Sequence, residues 1–150
     1  LKMAFNVVDS LPLPREYLAT PTERAIVQRS LLLAATGPEM DSFWRQSAPL
    51  VGLDPAVHNP EEDPEKRHHL RTELDVLVAR DLYGLSRDEM AFILDPADVL
   101  GSGCEFETFG ALKRAEVRQF GRFVTRDLIL SAWNSPILPV EAENRAVELV

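Results

Sequence analysis

Residues 64–94 constrain the fold of this 150-residue chain more than any other stretch. Pro64 suits a first helical position behind a capping Asp63, and Gly84 suits the left-handed turn that ends a helix. Between these marks, apolar residues recur at steps of three, four and seven, at Leu70, Leu74, Leu77, Val78 and Leu82. Such spacing places the apolar residues in one stripe along a helix. This stripe is buried only when the helix packs against other elements. The stretch therefore predicts a long helix that faces a core.

Two capping boxes mark the starts of further helices. Ser86 and Glu89 form the pattern S-x-x-E, which predicts a second, shorter helix directly after the Gly84 corner and buries Met90 and Ile93. Thr20 and Glu23, with a proline between them, predict an earlier helix that stops at about residue 36. On that earlier helix, Arg24, Gln28 and Arg29 are expected to face water.

Three more segments carry helical patterns. In residues 38–46, Met40, Phe43 and Trp44 lie on one side and are expected to pack against the long helix. Residues 107–120 form another pattern, with Thr108 as its cap and Gly121 as its end, and residues 123–133 form the last, with Leu128, Ile129, Ala132 and Trp133 as its apolar face. Asp95-Pro96 is expected to break the chain before a loop at 101–103. Together the patterns predict an all-α fold, a helical bundle of about five to seven helices.

The ends of the chain differ from this pattern. Residues 3–8 are apolar and β-branched, and Pro12 and Pro14 stop any strand there, so residues 1–15 are expected to be an extended N-terminal segment leaving a preceding region. Residues 16–135 are the predicted helical domain, and residues 136–150 are expected to be a C-terminal tail or short helix. The first residue is Leu1, which favours a piece of a longer protein.

Composition narrows the class of protein. A hydrophobic content of 45% is enough for one core in a chain of this length. Cys104 is the single cysteine, so no internal disulfide forms, which is compatible with a reducing compartment. No apolar run approaches the roughly 20 residues of a membrane span, and the start lacks the layout of a signal peptide. We expect a cytoplasmic protein without a membrane partner.

The net charge of −8 argues against a protein whose whole surface binds nucleic acid, because that requires clustered lysines and arginines. The balance of positive and negative residues differs along the chain, however. Between residues 113 and 127 two acidic residues stand against five basic ones, which are Lys113, Arg114, Arg118, Arg122 and Arg126. This segment predicts one basic face on an acidic protein.

The residues that most often carry chemistry do not form a recognisable site. His68 and His69 are adjacent, so on a helix they point about 100° apart and do not chelate one metal together. His58 lies in a predicted connection, and Cys104 has no basic neighbour to activate its thiol. The sequence lacks the phosphate-binding motifs G-x-G-x-x-G and G-x-x-x-x-G-K-[ST], the nucleophile motif G-x-S-x-G and the motif CxxC. We therefore predict no catalytic, cofactor-binding or metal-binding residue in this chain.

The carboxylates of the long helix favour a structural interpretation. Glu73, Asp75 and Asp81 lie on it, and Asp75 follows Leu74 at the edge of the apolar stripe. A half-buried carboxylate at such an edge is expected to pair with an arginine, for example Arg126. General acid or base chemistry is the less favoured alternative.

Two long segments carry a family resemblance. The first, LRTELDVLVARDLYGLSRDEMAFILD, fits the pattern R-x-E-L-D-x-x-V-A-x-x-L-Y-G-L followed by a Y-I-L-D turn, except that Phe92 replaces the tyrosine. Its matching residues are Arg71, Glu73, Leu74, Asp75, Val78, Ala79, Leu82, Tyr83, Gly84 and Leu85. The second, FETFGALKRAEVRQFGRFVTRDLILSAWN, fits E-T-F-x-x-L-K and F-G-x-x-x-T-R-x-L-x-L-x-A-W, with matches at Glu107, Thr108, Phe109, Leu112, Lys113, Phe120, Gly121, Thr125, Arg126, Leu128, Leu130, Ala132 and Trp133.

In these segments the chain resembles the C-terminal region of large adenine-specific DNA methyltransferases of restriction and phage-defence systems, including fused type IIG restriction-modification enzymes. The resemblance implies a parent protein that transfers a methyl group from S-adenosylmethionine to adenine in double-stranded DNA, beside a target-recognition region. The N-P-P-[YF] catalytic motif and the glycine-bearing cofactor motif of the family are missing, and Asn59-Pro60-Glu61-Glu62 does not replace them. The chain thus resembles a supporting tail that is not itself an enzyme.

A helical tail of this kind suggests two different roles. Lys113, Arg114, Arg118 and Arg122 flank the Gly121 break and are our candidates for contact with the DNA phosphate backbone. The alternative is a helical protein-protein interaction or scaffold module without DNA contact, in which the segment with Phe43 and Trp44, or the last helix, packs on another domain. An independent enzyme is disfavoured for want of any motif.

Overall fold

The computed structural model of the chain describes residues 20–101, 104 and 106–140, and all regular elements within this part are helical. It confirms the all-α prediction with seven α-helices, which are α1 (Pro21–Ala34), α2 (Asp41–Ser47), α3 (Pro64–Val76), α4 (Arg87–Leu94), α5 (Pro96–Leu100), α6 (Gly110–Phe120) and α7 (Val124–Ala132). Short 3-10 helices, Pro38–Met40 and Ala48–Val51, flank α2, and a π-helical turn, Leu77–Leu82, extends α3. The predicted extended segment 1–15 and residues 141–150 lie outside the described part.

The predicted helix starts form as the sequence indicates. The Thr20 hydroxyl accepts a hydrogen bond from the Glu23 N–H at 3.2 Å, and the Glu23 carboxylate accepts one from the Thr20 N–H at 2.9 Å. Ser86 and Glu89 repeat this reciprocal arrangement at the start of α4. Asp63 caps α3 by accepting from two backbone N–H groups of its first turn. These caps satisfy N–H groups that have no partner inside a helix.

The long helix α3 occupies the centre, because it packs against α1 and also against α7. Its most buried residues, together with those of the π-helical turn, are Thr72, Val76, Leu77 and Ala79. The predicted stripe is therefore only partly right, since Leu70, Leu74, Val78 and Leu82 are half-buried. A helix that lies between two neighbours buries two faces, and a single stripe describes such a helix incompletely.

The long helix ends in a widened turn that the sequence pattern does not predict. The Tyr83 N–H donates to the Val78 carbonyl five residues earlier, at 3.0 Å, and Gly84 then adopts a φ of 70°. Within this turn the Arg80 guanidinium binds the Asp81 carboxylate and donates to the Ser135 carbonyl at 3.0 Å. The turn thereby connects the end of the long helix to the segment that follows α7.

The core consists of two clusters on either side of the long helix. The first joins α1 to α2 and the segment after it, through Leu31, Leu32, Ala35, Trp44, Ala48, Val51 and Leu53. The predicted burial of Trp44 is confirmed, but Phe43 is 48% exposed, which corrects the expectation that both rings pack inward. Adjacent residues of a helix point about 100° apart, so α2 buries only one of the two rings.

The second cluster joins the end of the long helix to α4 and α7. Its buried members are Val76, Ala79, Met90, Leu94, Phe123, Ile129 and Trp133. The predicted apolar roles of Met90, Ile129 and Trp133 are therefore confirmed. Leu85 packs against the same cluster from the corner before α4.

Two polar side chains of α1 connect the parts of the molecule. The Gln28 amide donates to the Val51 carbonyl at 2.9 Å and accepts from the Val140 N–H at 3.0 Å. The Arg29 guanidinium binds the Glu73 carboxylate at 2.8 Å and the Leu138 carbonyl at 3.1 Å. Both side chains are buried, so the expectation that they face water is wrong. Their distant partners satisfy them inside the protein, which hydrophobic periodicity does not reveal.

Asp95-Pro96 begins a helix, where the sequence interpretation expected only a break. The Asp95 carboxylate accepts from the Asp98 N–H at 3.3 Å, and Pro96 occupies the first position of α5. This is the same arrangement of a capping aspartate and a proline that begins α3. Helix α5 ends at Leu100, and Gly101 has a φ of 91°, while residues 102–103 of the predicted loop lie outside the described part.

We predict that Arg29→Ala lowers the free energy of unfolding by about 3 kcal/mol, because it leaves the half-buried Glu73 carboxylate without its guanidinium partner. Arg45→Ala is the matched control, since Arg45 forms an exposed pair with Asp41, and its loss should cost less than about 1 kcal/mol. Urea denaturation followed by circular dichroism measures both variants. Equal losses in the two variants would contradict the importance of the buried pair.

Candidate functional site

Helix α6, which carries most of the predicted basic residues, contributes little to the core. Within its eleven residues only Gly110 and Glu116 are buried. Its capping residue is Phe109, which makes no side-chain capping bond, so the prediction of Thr108 as the cap is wrong. The Glu107 carboxylate lies nearby but binds Arg114 instead. Gly121, with a φ of 75°, ends α6 as predicted.

Polar contacts attach α6 to the rest of the molecule. The Lys113 ammonium lies 2.7 Å from the Asp95 carboxylate at the start of α5. The Glu116 carboxylate accepts from the Thr125 N–H at 2.8 Å and from the Thr125 hydroxyl at 2.5 Å. Glu116 therefore caps the first turn of α7, where a negative charge also suits the helix dipole.

The structure places the four predicted DNA-contacting residues in different environments. The Lys113 side chain is half-buried against Asp95. The side chains of Arg114 and Arg122 are 66% and 63% exposed and pair with Glu107 and Asp127. Arg118 is exposed and forms no ion pair within the described residues. Contact of these four residues with phosphate stays a prediction.

The basic face is less positive than the sequence segment indicates. Asp95, Asp98 and Glu107 precede the segment in the chain but pair with Lys113, Arg126 and Arg114 respectively. Exposed ion pairs contribute only about 0–1 kcal/mol, so Arg114 and Arg122 are free to change partners at little cost. The half-buried Lys113 does not have this freedom.

The predicted pairing of Asp75 with Arg126 is wrong. Arg126 binds Asp98 and lies 3.8 Å from Asp127, because α5 and α7 bring those carboxylates closer. Asp75 is exposed, so the expectation of a half-buried carboxylate is also wrong, and it has no hydrogen-bond or ion-pair partner in the part of the chain that the structure describes. It opens instead on a groove of about 470 Å³ between α3 and α6, which we call the α3–α6 groove. Desolvation by the groove walls raises the pKa of the Asp75 carboxyl above its usual 3.8.

Large apolar side chains are exposed along α5, α6 and the segment between them. They are Val99, Leu100, Phe106, Phe109, Leu112, Val117 and Phe120. Phe106 is 63% exposed and Phe120 is 56% exposed. Such a concentration of exposed apolar surface is typical of a region that contacts another molecule. Periodicity alone does not reveal this exposure, since the spacing of Phe109, Leu112, Val117 and Phe120 is also compatible with one helical face.

The side chains of His58, His69 and Cys104 have local partners. His69 lies 3.2 Å from the Glu73 carboxylate, and the His58 ring lies 3.1 Å from the Asp54 N–H. The Cys104 thiol donates to the Phe106 carbonyl at 3.4 Å. Across residues 20–101, 104 and 106–140, no three histidine, cysteine, aspartate or glutamate side chains come together as a metal site. Nor does any helix in these ranges have the length and apolar character needed to cross a membrane.

Comparisons with protein-family models, with curated proteins and with solved structures found no match for this chain. The methyltransferase resemblance therefore stays an expectation from the sequence. The candidate site rests on the arrangement of α6 and the turn after it.

We predict that Asp75→Asn makes the protein more stable than the wild type at pH 7, by at most about 1 kcal/mol because solvent reaches the groove mouth. Since the folded pKa is raised, the ionised carboxylate destabilises the fold above that pKa, and the difference vanishes below about pH 3.8. Thermal unfolding from pH 3 to pH 7 measures it. The exposed Asp88→Asn is the control and should show no gain in stability, because Asp88 lies in the first turn of α4, where a negative charge suits the helix dipole. A stability difference that grows as the pH falls would refute the desolvation of Asp75.

Proposed function

We propose that this chain is a helical, non-catalytic module that supports DNA binding in a longer adenine-specific DNA methyltransferase of a restriction-modification or phage-defence system. The observation that supports the DNA contact is the set of exposed arginines on α6 and the turn after it, Arg114, Arg118 and Arg122. The sequence resemblance supports the enzyme class of the parent protein. The proposed module contributes positive charge and a rigid helix, and it makes or breaks no covalent bond in the DNA.

The spacing of these arginines suits a phosphate backbone. Arg114 and Arg118 are four residues apart and so share one face of α6. Arg122 follows the Gly121 turn and extends the row beyond the helix end. Each guanidinium can present two parallel N–H donors to one phosphate. Contacts of this kind position a duplex without reading its sequence, which agrees with a supporting role.

Lys113 plays a structural part in this proposal. Its ammonium holds α6 against Asp95, whose side chain is only 9% exposed. Moving Lys113 to a phosphate would leave that carboxylate buried and unpaired, which is costly. The parent protein would supply S-adenosylmethionine binding, the methyl transfer and target recognition from its other regions. It would work in the cytoplasm on double-stranded DNA.

A protein-protein interaction module is the second candidate function. The observation that favours it is the exposed apolar surface along α5 and α6, which includes Leu100, Phe106 and Phe120. Water-exposed rings of this size are stabilised when another protein surface covers them. The exposed ring of Phe43 on α2 offers a smaller contact of the same kind.

We predict that Arg118→Glu with Arg122→Glu weakens binding of a duplex oligonucleotide at least tenfold at low salt. The loss should be the same for unrelated sequences, because phosphate contacts carry no sequence information. The slope of log affinity against log salt should flatten by roughly 0.9 for each phosphate contact removed. Fluorescence anisotropy titrations at several salt concentrations give both quantities.

The matched control is Arg45→Glu, which reverses an exposed arginine on α2, outside the α6 row. It should leave the affinity within about twofold, because the charge lies far from the proposed contact. If the wild-type chain does not bind duplex DNA at low salt, or if the control weakens binding as much as the double variant, the DNA proposal is wrong and the protein-interaction role is favoured.

A further inference from the structure

The α3–α6 groove is built from two unlike walls. Leu112, Ala115 and Phe120 of α6 supply apolar surface, and Arg71 and Asp75 of α3 supply charge. Its volume of about 470 Å³ falls within the range of small-molecule sites, which is roughly 300–1,000 Å³. It lies on a different side of α6 from Arg114 and Arg118, since successive helical residues turn by about 100°.

The charges that line the groove are unbalanced. Two carboxylates, Asp75 and Glu116, face one guanidinium, Arg71, and one imidazole, His68. Both oxygens of Glu116 accept hydrogen bonds from Thr125, so this carboxylate is satisfied while it keeps its negative charge.

Asp75 is the group for which a ligand would supply the missing hydrogen-bond or ion-pair partner. It has no partner within the described residues, although Arg71 lies one turn away on the same helix. A guanidinium in close contact would lower the pKa of Asp75, whereas desolvation raises it. Within the described residues Arg71 forms no ion pair with Asp75, so the Asp75 carboxylate is available to a ligand.

The apolar wall limits the shape of what can enter. The ring of Phe120 is 56% exposed and Leu112 is 40% exposed, so both have surface available to a ligand. An aromatic ring attracts a cation over its face and also covers a flat apolar body. An inorganic ion would leave this apolar surface uncovered.

We propose that the α3–α6 groove binds an organic monocation, with its ammonium, amidinium or guanidinium group on Asp75 and its apolar body against Leu112 and Phe120. This chemistry is shared by small free amines and by the lysine or arginine side chain of a partner polypeptide. The inference goes beyond the proposed DNA contact and does not depend on it, because it uses another side of α6.

The test is an NMR titration of the full 150-residue chain with benzamidine, a planar monocation, and in parallel with its neutral counterpart benzamide. Benzamidine should shift amide signals of α3 and α6 with a millimolar dissociation constant, and benzamide should bind at least tenfold more weakly, as expected for loss of a charge-assisted hydrogen bond. Equal binding of the two compounds would overturn the proposal. So would the absence of shifts at about 10 mM benzamidine.

Variants locate the site. Asp75→Asn should weaken benzamidine binding roughly tenfold, and Phe120→Ala should weaken it several-fold, while Asp88→Asn on α4 should leave it unchanged. A second measurement on the wild type does not depend on the folding of any variant. Saturating benzamidine should lower the pKa of the Asp75 carboxyl, followed by its side-chain carbon signal. An unchanged pKa, or full affinity in Asp75→Asn, would overturn the proposal.

A blocked arginine, N-acetylarginine amide, separates the two sources of the cation. Binding of the blocked arginine at the affinity of benzamidine supports a partner's side chain as the occupant. Tighter binding of benzamidine than of the blocked arginine supports a small free amine or amidine. Shifts produced by either compound must depend on Asp75, or the site is not the groove.

Discussion

The buried ion pair between Arg29 and Glu73 is the contact on which the described structure depends most. It joins α1 to the long helix, and the same guanidinium reaches the Leu138 carbonyl, so one side chain connects three distant parts of the chain. The neighbouring Gln28 adds Val51 and Val140 to this set. A helix of nine to fourteen residues is marginal alone in water and needs its neighbours. Buried polar contacts of this kind also fix how the helices align, which apolar packing alone specifies less strictly.

Helix α6 is held in a different way. Its attachments are the Lys113–Asp95 pair and the bonds from Glu116 to Thr125, while several of its apolar residues are exposed to water. An element with few buried apolar contacts opens at lower free energy than the core. The same features make α6 the part of the described chain that is best suited to contact other molecules. Its arginine row, its apolar surface and the groove beside α3 all converge on this one helix.

Local features of the fold follow from the sequence, because caps and turns depend on residues three or four positions apart. The boxes at Thr20 and Ser86, and the glycine turns at Gly84 and Gly121, form where their patterns indicate. The capped start at Asp95-Pro96 carries the same signal as Asp63-Pro64, and it could have been predicted from it. The π-helical turn left no such signal in the spacing of apolar residues.

Hydrogen-bond and ion-pair partners that lie far apart in the chain could not be predicted from the sequence. From the sequence pattern Gln28 and Arg29 are expected on the surface. They are buried because Val51, Glu73 and Val140, which are distant in the chain, supply their partners. At the candidate site, the spacing of Arg114 and Arg118 correctly gives a shared exposed face. The carboxylates that pair with Lys113, Arg114 and Arg126 come from residues 95–107, and only the folded structure shows that they approach these side chains.

The central claim is that a body clamped around the long helix carries α6 as a weakly attached binding element. Native-state amide hydrogen exchange tests it most directly. The amides of Val76 and Leu77 should exchange only through global unfolding, and those of α6 should exchange with a free energy lower by about 2 kcal/mol or more. Exchange of the α6 amides at the global free energy, or faster exchange in the long helix than in α6, would contradict the account.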